Sequence, residues 1–287
     1  MQEIPLDKGV NVGAICRKLE MSRQNYYAGR KQRIRIKVNS DLVAELVRQE
    51  RKIQPRIGVR KLYLVLQPAL EEAGITMGRD RMFEELRERE LLVPPLLREW
   101  PKTTHYNASL PVFRNEIKDL EVKRANEVWV ADLTYVRTDE GFLYVSLITD
   151  KCSRKIVGYH ADDTLETVGP LKALVMALSE MPQGATPIHH SDRGCQYCSH
   201  DYVEALQKGG LSISMTEEDH CAQNAMAERV NGILKQEYGI GYGFKTKALA
   251  RKALKEAVHL YNTRRLHTAL NYQVPEVVHA CGSVELN

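Results

Sequence analysis

The chain has 287 residues, of which 43% are hydrophobic and 27% charged, and its formal net charge is +4. This is the composition of an ordinary globular protein, which excludes disordered and fibrous classes. No apolar run approaches the roughly 18 residues of a membrane helix, and the N-terminus has no apolar stretch of a secretory signal. The six cysteines are unevenly spaced, which favours reduced thiols and a cytoplasmic location.

The small net charge conceals two halves of opposite sign. Residues 1–124 carry 25 basic and 17 acidic side chains, whereas residues 125–287 carry 16 basic and 20 acidic ones. The excess is densest between residues 17 and 61, with 14 basic and four acidic side chains. This division predicts a basic arm that binds a polyanion and an acidic body with a different task.

Residues 1–38 are predicted to form a helix-turn-helix-like segment. Val12, Ile15 and Leu19 recur at helical spacing, and Ser22 is a candidate N-cap for a second helix. In such a pair the second helix reads DNA. Its candidate DNA-binding residues are Arg23, Gln24, Tyr26 and Tyr27.

Residues 39–93 are predicted to form a second helical module, interrupted at Pro55 and Gly58. One of its helices should begin at Arg79 and turn Met82, Phe83 and Leu86 inward. The module is either a helical linker domain or a second DNA-binding unit. The latter is favoured by basic side chains that could contact phosphate, namely Arg56, Arg60 and Lys61. Residues 94–124 are then a linker, since their first part is rich in proline.

Residues 125–287 have the pattern of a mixed α/β sheet. The predicted strands are 128–136, 142–149, 155–159, 187–191 and 212–215, and the predicted helices are 165–179, 199–207, 225–237 and 246–264. In the first of these helices the inward positions are predicted to be Leu171, Leu174, Val175 and Leu178.

Three acids lie at the edges of these elements. Asp132 lies in the first strand, Asp192 ends the fourth, and Glu228 lies in the first turn of a long helix, with 59 and 35 residues between successive acids. Central strands of one sheet could bring the aspartates together. Such oxygen ligands suit Mg²⁺ or Mn²⁺, and two such ions can act on a phosphodiester. The alternative for each single acid is a helix cap or a surface charge.

Other polar residues have competing interpretations. Cys195 and Cys198 could belong to a zinc site, but no second pair follows, so packing is favoured. On the helix of Glu228, candidate contacts to substrate DNA are Arg229, Asn231 and Lys235. The alternative for the lysine is a solvated surface charge. Arg265 and His267 are expected to support the helix of Glu228 structurally.

Four segments together have a specific pattern: WVADLTY at 129–135, HSDRGCQY at 190–197, NAMAE at 224–228 and YNTRRLH at 261–267. They resemble the landmarks of the DDE transposases of the insertion sequence 3 family, in the second-frame (OrfB) part, which is related to retroviral integrases. The resemblance runs from about residue 10 to residue 275. The 35 residues between Asp192 and Glu228 match the family's D,D(35)E signature.

This resemblance implies an RNase H-like catalytic core behind helical DNA-binding modules. It implies that Asp132, Asp192 and Glu228 bind Mg²⁺ or Mn²⁺, as two ions. The implied reaction is cleavage at the ends of a transposable element, followed by strand transfer, without a covalent protein–DNA intermediate. The chain departs from the family at Cys195, where serine is common, and at residues 219–225, which read DHCAQNA.

The resemblance also implies partners and a location. The expected DNA partners are the terminal inverted repeats of an element and the target DNA, bound by a homo-oligomer in the bacterial cytoplasm and nucleoid. A first-frame (OrfA) product is a possible protein partner. Two alternatives stay open: a catalytically inert, domesticated DNA-binding regulator, and an RNase H-like nuclease without strand joining.

Overall fold

The computed structural model describes residues 11–94, 111–217 and 221–282, with backbone alone at Cys221 and Ala222. The described chain separates into two compact units. The first extends to Ile53 and continues over Ile57–Val93; the second runs from Pro94 onward, and Gln54–Arg56 are grouped with it. Most of the expected proline-rich linker falls outside the described residues.

The first unit is helical. Its helices are α1 (Val12–Lys18), α2 (Arg23–Ile53), α3 (Val59–Glu72) and α4 (Arg79–Glu88). Ser22 caps the N-terminus of α2, as predicted, because its Oγ accepts a hydrogen bond from Asn25 N at 3.1 Å. Helix α2 is continuous over 31 residues, so it crosses the expected boundary between residues 38 and 39. The physical reason is that no glycine or proline follows Gly29 within it.

The core of the first unit lies between the second half of α2 and the helices α3 and α4. Val47, Leu62 and Met82 are fully buried there. Phe83, expected inward, is 38% exposed, so that prediction was wrong; the Arg87 guanidinium lies over its ring, 4.8 Å from the centroid. The buried residues of α2 begin at Ser40, so the basic first half of the helix does not contribute to this core.

The second unit is built on one mixed sheet of five strands in the order β3-β2-β1-β4-β5. The strands are β1 (Val128–Thr138), β2 (Gly141–Asp150), β3 (Ile156–Asp162), β4 (Ile188–Ser191) and β5 (Ser212–Met215). The helices are α5 (Val168–Glu180), α6 (His200–Lys208), α7 (Ala225–Glu237), α8 (Lys247–Thr263) and α9 (Pro275–Cys281). Strands β1, β2 and β3 pair antiparallel, while β4 is parallel to β1 and β5 is parallel to β4. The predicted mixed sheet is confirmed.

Helices cover both faces of this sheet. Helices α7 and α8 pack on one apolar cluster, and α5 and α6 pack on the other. Val175, expected inward on α5, is 63% exposed, so that prediction was wrong. Its place is taken by Ala173 and Ala177, which are buried beside Gly158 of β3. Small residues make this close contact, and a pattern of large apolar side chains does not reveal it. None of the helices in the described ranges is long and apolar enough to cross a membrane.

Two segments outside the predicted elements complete the second unit. Residues 111–124, expected as linker, have no helix or strand but pack at the sheet edge: Glu116 N donates to Ser214 Oγ at 2.9 Å, and Ile117 is buried.

The short helix α9 was not predicted, because seven residues are too few for a clear periodicity. Gly282 O, just beyond it, accepts from Ala125 N at 2.8 Å, so the end of α9 lies beside the chain that enters β1.

Residues 261–265, which read YNTRR, connect α8 to the sheet and to α7 by hydrogen bonds. Asn262 Nδ2 donates to Ile156 O and its Oδ1 accepts from Ile156 N, both at 2.9 Å, as a neighbouring strand would. Buried Arg265 makes two hydrogen bonds of 2.7 Å to the carboxylate of Glu237 at the end of α7. The structural role expected for Arg265 is confirmed.

The close contact of β3 with α5 gives a first prediction. A Cβ on Gly158 would overlap Ala173 O and lie 2.9 Å from Ala177 Cβ, so Gly158→Ala should lower the free energy of unfolding by about 1–3 kcal/mol. The matched control is Gly232→Ala in α7, where a Cβ meets nothing within 4 Å. That change should stabilise by about 0.5–1 kcal/mol. Thermal and urea unfolding measure both variants; equal effects at the two sites would contradict the packing described.

Candidate active site

Two aspartates lie at the same level on neighbouring strands. Val130 of β1 pairs with His190 of the parallel strand β4. Asp132 and Asp192 each follow two residues later, so they emerge side by side from the centre of the sheet. The structure thus brings together the two acids that the sequence singled out.

A polar stripe on α7 places the third acid. Asn224 Nδ2, at the N-terminus of the helix, donates to Ala131 O at 3.0 Å, and Asn231 Nδ2 donates to Asp132 Oδ2 at 2.6 Å. Glu228 lies between these asparagines on the same face, at spacings of four and three residues. It therefore lies on the side of α7 that contacts β1 at Ala131 and Asp132, with its side chain exposed. Asn224 stands in the recognised motif but was not selected from the sequence as a site residue.

The carboxylates affect one another electrostatically. Burial raises the pKa of Asp132 to about 7, the charges of Asp192 and Glu228 add to the rise, and the hydrogen bond from Asn231 opposes it. Burial also raises the pKa of Asp192, against a hydrogen bond of 3.0 Å from Gly194 N. Negative charge is thus concentrated where little water solvates it, which is costly without a cation.

The arrangement is not a closed ligand set. Within the described ranges, no three side chains of His, Cys, Asp or Glu are grouped closely enough to hold a metal ion. Cys198 is buried, and its Sγ lies 3.7 Å from Met215 Sδ. The expected packing role of Cys198 is confirmed.

The other candidates on α7 differ in exposure. Arg229 is exposed, but Asn231 and Lys235 are buried. The Lys235 ammonium lies 4.6 Å from the centroid of the Tyr135 ring. Burial lowers the pKa of Lys235 to about 8, while the charge of Asp132 opposes this. The surface position considered for the lysine is therefore wrong, and contact of these residues with DNA stays a prediction.

The candidate DNA contacts of the first unit are mostly at its surface. Those of α2 are Arg23, Gln24 and Tyr27, which are exposed, and Tyr26, which is partly buried with its ring 5.4 Å from that of Tyr27. Arg60 of α3 is exposed and Lys61 is partly exposed; Arg56, which is grouped with the second unit, is also partly exposed. These positions allow contact with DNA without testing it.

Family models match the second unit. Residues 122–221 match an integrase core domain, and residues 209–275 match a second integrase core domain model. Together these matches identify the mixed sheet and its helices as an RNase H-like integrase core, as predicted.

Solved structures with a similar arrangement include two viral integrases. The HTLV-2 integrase catalytic core domain in complex with magnesium is 17% identical, covers 54% of this chain and 96% of its own, and has a TM-score of 0.43. The simian T-cell lymphotropic virus intasome in complex with a PP2A regulatory subunit is 17% identical, covers 77% and 74%, and has a TM-score of 0.48.

Curated relatives match almost the whole chain. The 31 kDa protein of insertion element IS600 from Shigella sonnei is 36% identical over 260 residues, which are 89% of this chain and 94% of the relative. The transposase of IS629 from the same species is 31% identical, over 92% and 90%. The transposase InsF of IS3A from Escherichia coli K12 is 29% identical, over 93% of each chain. The chain therefore belongs to the integrase-core transposases of IS3-family insertion sequences.

Proposed function

We propose that this transposase cuts DNA at the ends of its element and joins the freed ends to other DNA with one site, formed by Asp132, Asp192 and Glu228. The observation that carries the proposal is the pair of aspartates side by side on β1 and β4, where burial, and to a smaller extent the charges of Asp192 and Glu228, raise the pKa of Asp132 to about 7. A folded protein has no structural need for such a costly group of charges. The same assignment is supported by the hydrogen bonds of Asn224 and Asn231 to β1, because Glu228 lies between these asparagines on one face of α7.

The three acids fit a divalent cation by their chemistry. Hard carboxylate oxygens are the ligands that Mg²⁺ and Mn²⁺ prefer, and a cation would offset the burial and the charge repulsion that raise the pKa of Asp132. Asp132, Asp192 and Glu228 would hold the metal, proposed as two ions. When bound, the metal would polarise the phosphodiester and offset charge on the attacking and leaving oxygens.

The reaction proposed has two exchanges of P–O bonds. In the first, a water oxygen bonds to phosphorus at the end of the element, and the 3′ oxygen leaves with a proton. In the second, this 3′-OH bonds to the phosphorus of another phosphodiester, whose own 3′ oxygen leaves. The first step hydrolyses one phosphoester bond, and the second exchanges one phosphoester bond for another. Neither step therefore needs an external energy source.

The protein's own groups would hold the acids in place during these steps. Asn231 fixes one oxygen of Asp132 through a hydrogen bond of 2.6 Å, and Gly194 N–H fixes one oxygen of Asp192. Arg265 anchors the far end of α7 through Glu237. Orientation of this kind before reaction is a large part of catalysis by charged groups.

DNA binding is proposed for the first unit. Between Arg23 and Lys37, α2 carries six basic residues and no acidic one, and this part of the helix precedes its buried residues, which begin at Ser40. A free basic helix can neutralise phosphates along a groove. We include in this proposal a division of DNA-binding tasks at residues 38 and 93, the first of which falls within the continuous helix α2. The proposal also includes assembly of a homo-oligomer on element ends, a first-frame partner and a cytoplasmic location.

The proposed acids can be tested by substitution. Asp132→Asn, Asp192→Asn and Glu228→Gln should each lower Mg²⁺-dependent cleavage and joining of element-end DNA by at least about a hundredfold. Binding of DNA should persist, because each change removes negative charge. Gel analysis of labelled DNA measures cleavage and joining, and a filter-binding assay measures affinity.

The controls for this experiment are Asp201→Asn and Glu256→Gln, which change exposed acids of α6 and α8. They should retain activity. Full activity of all three triad variants would disprove the assignment. Cut but unjoined strands would indicate a nuclease, and DNA binding without either product would indicate an inert regulator.

The raised pKa of Asp132 predicts a pH dependence. A carboxyl group with a pKa of about 7 is about one-tenth ionised at pH 6 and about nine-tenths ionised at pH 8. Because a proton and the metal compete for it, affinity for Mn²⁺ should fall about tenfold as the pH decreases from 8 to 6. Calorimetric titration of the metal at both pH values tests this. Asp132→Asn should weaken binding and remove most of the dependence; equal wild-type affinities would contradict the prediction.

A further inference from the structure

The turn between β2 and β3 has an unusual backbone and carries two basic side chains, Lys151 and Arg154. Arg154 has φ +65°, in the left-handed region, which costs a non-glycine residue roughly 1 kcal/mol or more. Its N–H donates to Asp150 O at 2.9 Å. The turn therefore holds an arginine where glycine or asparagine would be easier to accommodate.

The acids around this turn are already engaged. The buried carboxylate of Asp150 accepts hydrogen bonds of 2.7 Å from Asn126 N, Ser153 N and Ser153 Oγ. Lys155, the next cation, forms an ion pair of 2.9 Å with Glu276 of α9. Asp150 thus stabilises the turn instead of neutralising the arginine.

Lys151 and Arg154 lie three residues apart on the same turn, and each is partly buried. Within the described part of the chain, neither forms an ion pair with a carboxylate. The Arg154 guanidinium contacts the thioether of Met226, and its Nε is buried without a hydrogen-bond partner. Burial and the charge of Arg154 lower the pKa of Lys151. Two cations that repel each other in a half-buried turn are suited to an anion that bridges them.

The turn lies beside the candidate active site. Asp150 pairs with Trp129 of β1, three residues before Asp132, which is about 10 Å along a strand. Met226, which Arg154 contacts, precedes Glu228 by two residues in the first turn of α7. One DNA strand carries a phosphate about every 3.4 Å along its axis. Measured along β1, the level of Asp150 is thus about three phosphate spacings from the level of Asp132.

We propose that Lys151 and Arg154 bind a backbone phosphate of the DNA strand about three nucleotides from the phosphate held at the three acids. This inference rests on the proposed function, because it takes the acids as the place of reaction. The two residues position the strand and take no part in bond exchange. If Arg154 only packed on Met226, neither the positive charges of Lys151 and Arg154 nor the left-handed backbone at Arg154 would have an explanation.

The test measures binding separately from catalysis. All proteins carry Asp132→Asn, so that element-end duplex is bound without being cut, and the dissociation constant is measured at several salt concentrations. Each lost phosphate contact should lower the slope of log affinity against log salt by about 0.9. Because both cations contact the same phosphate, Arg154→Asn should lower the slope by less than one, and its combination with Lys151→Gln by about one. Asparagine tolerates the left-handed backbone, so the turn should be kept.

Two matched variants separate phosphate binding from fold and from net charge. Arg154→Lys keeps the charge and should keep most of the slope. Lys155→Gln removes a cation from the same turn, but one that is paired with Glu276, and should leave the slope unchanged. Circular dichroism and thermal unfolding confirm that each variant is folded.

Three results would overturn the inference: an unchanged slope in the folded double variant, an equal loss in Lys155→Gln, or an equal loss in Arg154→Lys. Because cleavage is not measured, these results are independent of whether the acids catalyse. Conversely, activity retained by all triad variants would disprove the proposed function without changing the measured slopes.

Discussion

The hydrogen bonds from α7 to β1 are the constraint on which the rest of the site depends. Asn224 and Asn231 bind Ala131 O and the Asp132 carboxylate from one face of the helix. This fixes the rotation of α7, and with it the position of Glu228 between them. Two aspartates on adjacent strands would form a pair in any sheet of this order. The third acid comes from a helix, with 35 residues between it and Asp192, so its position depends on the hydrogen bonds that hold α7 against β1. Arg265 holds the other end of α7 through Glu237.

The opposite charges of the two halves follow from their different environments. In the first unit the basic residues of α2 precede the buried part of the helix at Ser40, so they stay solvated and can bind phosphate without a desolvation cost. In the second unit the important charges are few and partly buried. There burial raises the pKa of Asp132. In the β2–β3 turn, burial has the corresponding effect on a cation, because it lowers the pKa of Lys151.

Most elements of the fold could be predicted from the sequence, because periodicity and capping are local properties. The strands and long helices lie close to their predicted positions, and Ser22 caps α2 as expected. The wrong predictions concern which side chains face inward. Val175 is exposed because Ala173 and Ala177 pack against Gly158, and this close approach of β3 depends on a residue distant in sequence. The continuity of α2 and the docking of residues 111–124 likewise depend on tertiary contacts.

The sequence by itself determined the class of protein and the three candidate acids, because a family signature consists of residue types at given spacings. Only the tertiary structure decided how these residues are used. It showed that Lys235 is buried against Tyr135, that Asn262 bonds to both backbone groups of Ile156, and that Arg154 contacts Met226 on the helix of Glu228. Burial and pairing of charges arise between elements far apart in the chain, so the local pattern of residues does not contain them.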